Sequence, residues 1–208
     1  MDERQAISWL SEQRFTPFLV AADHDHNRAV ALYQWHLELS GATFSMIHWV
    51  EVIVRNAVDA CLGAGQPQAP LSRTWLLDFE VLRPWAVKQV VGAVERIGGE
   101  GPIVRARALA GLSFGFWVAL FGRRYDGLWR ERLHQAFPRG RPAREEISAS
   151  MRRIHQLRNR IAHHDCLLDQ DVTGVVGEML ALAEWVDPAA AGWLRRAADA
   201  EGVLARRP

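Results

Sequence analysis

The run Arg158-Asn-Arg-Ile-Ala-His-His-Asp165 combines residue types that suit phosphodiester chemistry. Histidine exchanges a proton near neutral pH. Arginine binds phosphate and offsets the charge that grows in a transition state. RNA carries its own nucleophile, the 2′-hydroxyl, so a set of this kind needs no metal to cut it. At about 100° per residue, Asn159 and His163 fall one helical turn apart and should have neighbouring side chains. Arg152 and His155 share their polar stripe. Arg158 lies at the border between that stripe and the apolar face, and it is long enough to reach across. His164 points elsewhere, nearer the packed face, and Arg160 adds a further cation. The same Arg-x4-His spacing also fits a plain helix end, where histidine meets the negative pole of the dipole. Spacing alone leaves both readings open.

The elements that must position this run are helical. Arg144 to His163 reads as one amphipathic helix with Ile147, Met151, Ile154, Leu157 and Ile161 on its apolar face. From Arg28 to Leu62, apolar residues recur three or four apart, with Gly41 as a point where two helices could separate. A helix over Arg83–Ile97 has Pro84 at its first position. Gly98 to Pro102 ends it, and Gly63 to Pro70 reads as a loop. Arg105–Phe121 gives one or two short apolar helices, Tyr125–Phe137 a short amphipathic piece, and Pro138–Pro142 a basic loop. Val172–Val186 forms a helix, and Pro188 opens a last one ending near Ala200. No run of alternating β-branched residues appears, so the expected class is all-α and the expected organisation a single domain over 1–208.

Bulk properties narrow the function classes. Apolar residues make up 49% of the 208 and charged residues 24%, which excludes a disordered chain. The nine tryptophans run from Trp9 to Trp193 and extend aromatic packing through the fold. Trp35, Trp49 and Trp129 are candidates for the core or a dimer interface, and Phe114 to Trp117 for the core. Net charge is only +1, but eleven arginines fall between Arg123 and Arg160. Such a patch hints at nucleic acid and equally fits an arginine-rich coding bias. Cys61 and Cys166 match no metal spacing, which suits a reduced, cytoplasmic protein. His24, His26 and His48 lack partnered cysteines or carboxylates, so no metal or other cofactor is expected. The acidic N-terminus does not resemble a secretory signal. The longest uncharged apolar stretch, Ala110 to Gly122, is too short to span a bilayer, so no membrane association is expected.

The run RNRIAHHD resembles the Arg-x4–6-His signature of the HEPN superfamily, in which a polar residue, here Asn159, follows the arginine. Leu32 to Val58, Leu112 to Phe121 and Tyr125 to Trp129 resemble, in order, the Abi-like (abortive infection) family within it. The resemblance covers a core of about 28–186. It implies a HEPN-like helical bundle with additional helices, and a homodimer whose two arginine–histidine motifs form a composite ribonuclease site. The implied activity is metal-independent endoribonucleolytic cleavage leaving a 2′,3′-cyclic phosphate, in phage defence or a toxin–antitoxin system restrained by a protein or RNA antitoxin. Carried over by position, Arg158 and His163 are the catalytic pair and Asn159 accompanies them. Glu51, Arg55 and Asn56 match a second polar motif and, with His164, are supporting candidates. Arg152, His155 and Arg160 are candidates for RNA contact. His36 stands where the family pattern has asparagine.

Two alternatives accompany this reading. A non-catalytic RNA- or nucleotide-binding module would not need the histidine. An interaction partner modified by a nucleotidyltransferase would carry a tyrosine near the motif, whereas Tyr33 and Tyr125 lie far from it in sequence. On Glu51 and Arg55, one turn apart on an otherwise apolar helix, an intrahelical ion pair and a role at the site both remain open.

Overall fold

The computed structural model describes residues 9–63, 70–98 and 104–208. Among these, every regular element is helical, and the only strand-type pairing is one bridge between Pro70 and Val104. The chain is all-α. The expected loop at 63–70 and the stop at 98–102 fall largely outside the described residues, although Gly98 takes the positive φ of a helix-ending glycine.

The axis of the fold is α2, His26–Leu62, which follows a short N-terminal helix α1, Glu12–Ala21. Asp25 starts α2 by accepting from the Asn27 and Arg28 N–H groups at 2.9 and 3.1 Å. Gly41 does not divide it. The 37 residues form one continuous helix, about 55 Å long. Twelve buried side chains, from Ala29 through Leu39, Ile47 and Val54 to Leu62, hold it through the glycine. By length and a mean hydropathy of 1.2 this helix would also satisfy the criterion for a membrane span, near the N-terminus, with a third of the relevant window buried.

There follow α3 (Pro84–Ile97), α4 (Arg105–Ala110), α5 (Phe114–Leu120), α6 (Asp126–Glu131), α7 (Arg144–Ala162), α8 (Val172–Val186), α9 (Pro188–Ala197) and α10 (Ala200–Ala205), of which α5 and α7 to α10 pack on α2. The single final helix expected from sequence is two, because Ala198 is extended and Asp199 caps a new start. Helices α7 and α8 pack on each other and both lie against α2. The expected apolar face of α7 is the observed one: Ile147, Met151, Ile154, Leu157 and Ile161 are all buried. Truncating Met151 or Ile154 to alanine should cost about 2–5 kcal/mol. Phe114, Phe116 and Trp117 of α5 are core, as is Trp35, while Trp49 and Trp129 are half-buried against it.

A second, smaller core joins α1 to the first turns of α2. Phe15, Phe18 and Ala22 pack on Ala29 and Leu32, with Cys166 and Leu168 against them. Through these last two residues, α1 braces the segment that follows α7.

Much of the arginine-rich stretch is used internally. Arg144 is buried, paired with Asp126 and Glu145, and donates to the Phe121 carbonyl at 2.8 Å. Arg132 caps the C-terminal end of α2 through the Leu62 carbonyl at 3.0 Å. Arg130 pairs with Asp126, and Arg153 with Asp171 and Glu178. The patch expected from sequence is therefore smaller than its count of arginines.

Candidate active site

The motif occupies the C-terminal end of α7. Ala162 is the last helical residue and His163 the cap, its N–H bonded to the Asn159 carbonyl at 3.0 Å. The His164 N–H returns to the Ile161 carbonyl at 3.0 Å and the Asp165 N–H to Arg160 at 2.9 Å. This double pattern is a Schellman turn, and His164 occupies its left-handed position, with φ +58°. Glycine or asparagine is usual there. A histidine in that conformation carries strain of about 1–2 kcal/mol.

Arg158 is half-buried and donates from Nη1 to Asn159 Oδ1 at 3.3 Å. The other end of the same amide, Nδ2, meets His155 Nε2 at 3.5 Å. An amide nitrogen only donates, so Nε2 presents its lone pair and the imidazole proton lies on Nδ1. His155 is half-buried with its ring 5.7 Å from that of Phe114. Burial, and then the Arg158 cation, lower its pKa below the usual histidine value.

Across from α7, Glu51 is half-buried on α2. Burial pushes its carboxyl up, while Arg158, Arg55 and His48 draw it back. The intrahelical ion pair with Arg55 does not form: Arg55 donates to Asn56 at 3.3 Å, and among the described residues Glu51 has no ion-pair partner within 4 Å. Its electrostatic neighbours instead span two helices. The structure thus groups Glu51, Arg158, Asn159 and His155, with His48 and Arg55 nearby.

Other expected residues lie elsewhere. The His163 ring is exposed and makes no side-chain hydrogen bond among the described residues; Asn159 turns its amide to His155, one turn back, rather than to His163. His164 is exposed rather than close to the packed face. It lines a different cleft, because the left-handed turn redirects its side chain. Arg152 is exposed and donates to Ser148 at 2.8 Å. Arg160 is exposed on the α8 side, in a groove with Arg153, Gln156 and Asp171.

Protein-family models, characterised proteins and solved structures offer no match to this chain.

Two residues hold the motif in place: Arg14, which the sequence did not mark, and His36, marked only as a departure from the family pattern. Arg14 of α1 donates to the His164 carbonyl at 2.7 Å. His36 of α2, only 5% exposed, donates from Nε2 to the Asp165 carbonyl at 3.2 Å. The carbonyl acceptor fixes the His36 tautomer, leaving Nδ1 as a buried lone pair with no partner among the described residues. Burial lowers the His36 pKa, the Asp165 carbonyl opposes this, and Arg14 adds to it. Leu32 and Leu39, four before and three after, were the signal that His36 faces inward. Nothing local marked Arg14, whose partner lies 150 residues away.

Chemically, the group offers a cation with one N–H engaged and a neutral imidazole, while the exposed His163 imidazole stands apart from them at the helix end. These groups can bind an anionic diester and exchange protons beside it. Among the described residues, no group of three or more His, Cys, Asp or Glu is arranged to hold a metal ion.

Proposed function

We propose that this chain is a HEPN-type, metal-independent endoribonuclease, acting as a toxin or phage-defence effector. The observation that carries the reading is the half-buried Arg158, oriented by Asn159 beside His155, on the helix whose C-terminal end exposes His163. The Abi-like resemblance of the three flanking stretches supports it.

In the proposed reaction, Arg158 binds the non-bridging oxygens of the scissile phosphate. The 2′-oxygen forms a bond to phosphorus while the bond to the 5′-oxygen breaks. One histidine takes the 2′-hydroxyl proton, and a second gives a proton to the leaving 5′-oxygen. The products are a 2′,3′-cyclic phosphate and a 5′-hydroxyl. His164 lines a separate cleft, which leaves one His163 per chain for this exchange, and a homodimer with two facing copies of His163 would complete the pair. A cognate protein or RNA antitoxin would restrain it in the cytoplasm.

Sequencing RNA ends after induction in cells tests this reading. Wild type is expected to create new ends that His163→Ala does not. Identical ends in both would contradict it. Tight RNA binding without products at high protein concentration would favour the binding-module alternative.

A further inference from the structure

A cleft of about 890 Å³ opens on the far side of the His163 turn, between α1, α2 and the segment after α7. Its size lies within the range of small-molecule sites, about 300–1,000 Å³. Ala162 and His164, the two residues that flank His163 in the chain, line its wall. The cleft therefore begins one residue from the proposed reacting group.

The lining is mixed in a particular way. Phe44 and Tyr33 supply aromatic surface, and Leu37 adds apolar wall. Leu37 and Phe44 are 53% and 41% exposed, large values for such side chains. Arg14 and His164 bring cationic or protonatable groups, against the one carboxylate of Asp165. Arg14 uses one guanidinium nitrogen on the His164 carbonyl, which leaves other donors free.

Gly41 forms part of the same lining. It lies in the middle of α2, where glycine costs about 0.5–1 kcal/mol relative to alanine. Its φ is not positive, and a Cβ built there meets nothing within 4 Å among the described residues. Neither backbone conformation nor internal packing requires glycine at this position. What glycine provides is open space above the helix backbone, flanked by Leu37 and Phe44.

We propose that this cleft is a subsite for an unstacked nucleobase of single-stranded RNA, across the His163 turn from the Arg158 group. The inference rests on the ribonuclease reading and adds where the substrate lies. Single-stranded bases bind by stacking on aromatic side chains and by hydrogen bonds at their edges, with cations tracking the backbone. The cleft offers the stacking surface in Phe44 and Tyr33, edge partners in Ser40 and Gln13, and the cation in Arg14. Paired RNA cannot present a base this way, so the site selects unpaired segments.

The test uses the full chain carrying His163→Ala, so that RNA is bound and not cut. Gly41→Trp places its Cβ where no described atom lies within 4 Å, carries an indole large enough to fill the space, and has higher helix propensity than glycine. Gly41→Ala is the control. Binding of a fluorescent uridine hexamer is measured by anisotropy, and molecular mass by analytical ultracentrifugation. We expect Gly41→Trp to weaken binding about tenfold, with mass and melting temperature unchanged, and Gly41→Ala to bind like the parent. Binding that Arg158→Ala weakens but Gly41→Trp leaves intact overturns the subsite alone. Binding and dimer mass lost together in Gly41→Trp overturn it in favour of an interface with a second copy. No binding by the parent overturns both the subsite and the ribonuclease reading.

Discussion

The carboxamide oxygen of Asn159 faces the Arg158 guanidinium at 3.3 Å. This contact decides which way the amide points, because a cation attracts the oxygen end. The nitrogen end then turns to His155 and fixes that imidazole as neutral with its proton on Nδ1. Burial, and then the Arg158 cation, should hold the His155 titration below the usual 6.5, and removing the cation in Arg158→Ala should move it part of the way back upward. Ring-proton shifts followed by NMR across pH check this. A His155 that titrates above 6.5 in the wild type contradicts the geometry.

Stability should depend on pH through two histidines. Folding lowers the pKa of both His36 and His155. Below about pH 6.5 the unfolded chain takes up their protons before the folded chain does. Stability is thus fully present above 6.5 and falls as pH drops toward the folded values. The raised carboxyls of Glu51 and Glu178 act in the opposite sense, between their folded values and 4.5. Comparing melting curves of wild type and His36→Gln isolates one histidine, since glutamine can still donate to the Asp165 carbonyl. The fall below pH 6.5 should be shallower in the variant. Equal slopes would remove His36 from the account.

Strain at His164 makes a separate prediction. Glycine suits its left-handed backbone, so His164→Gly should stabilise the chain by about 1 kcal/mol. For a chain of this size that raises the melting temperature by about 2–4 °C. RNA cleavage should survive, because the proton exchange is assigned to His163 and the His164 side chain only lines the neighbouring cleft. Cleavage lost with stability gained would move the catalytic role to His164.

Glu51 sets a negative charge beside the proposed phosphate-binding cation without closing an ion pair. Glu51→Gln removes a half-buried carboxylate, so melting at neutral pH should hold or rise. RNA binding by the His163→Ala chain should tighten several-fold, most at low salt. A drop of more than about 5 °C in melting temperature would instead make Glu51 a structural anchor.

The parts of the fold legible in the sequence were those written in local periodicity. Ile147 to Ile161 marked the buried face of α7, Val172–Val186 gave α8 to the residue, and Pro84 opened α3. Local breaker rules misled at Gly41, where packing along both halves of α2 outweighs one glycine. They gave no signal for α1, which carries Pro17 inside it and depends on Phe15 and Phe18 meeting Leu32. At the candidate site, spacing and resemblance singled out Arg158 and Asn159, which the structure joins by a hydrogen bond. The Arg14 and His36 bonds to the turn were not, because partners 150 and 129 residues away leave no pattern in the chain. The same holds for Arg144, which counted toward a basic patch until its buried pairing with Asp126 was seen.

The central claim is that Arg158 and His163 cut RNA without a metal. Purified wild type, His163→Ala and Arg158→Ala should be incubated with single-stranded RNA in excess chelator, and the product ends read by mass spectrometry. Wild type should give 2′,3′-cyclic phosphate and 5′-hydroxyl ends, and both variants should give none while melting like the parent. Cleavage that requires added divalent metal, or that persists in both variants, would contradict the account.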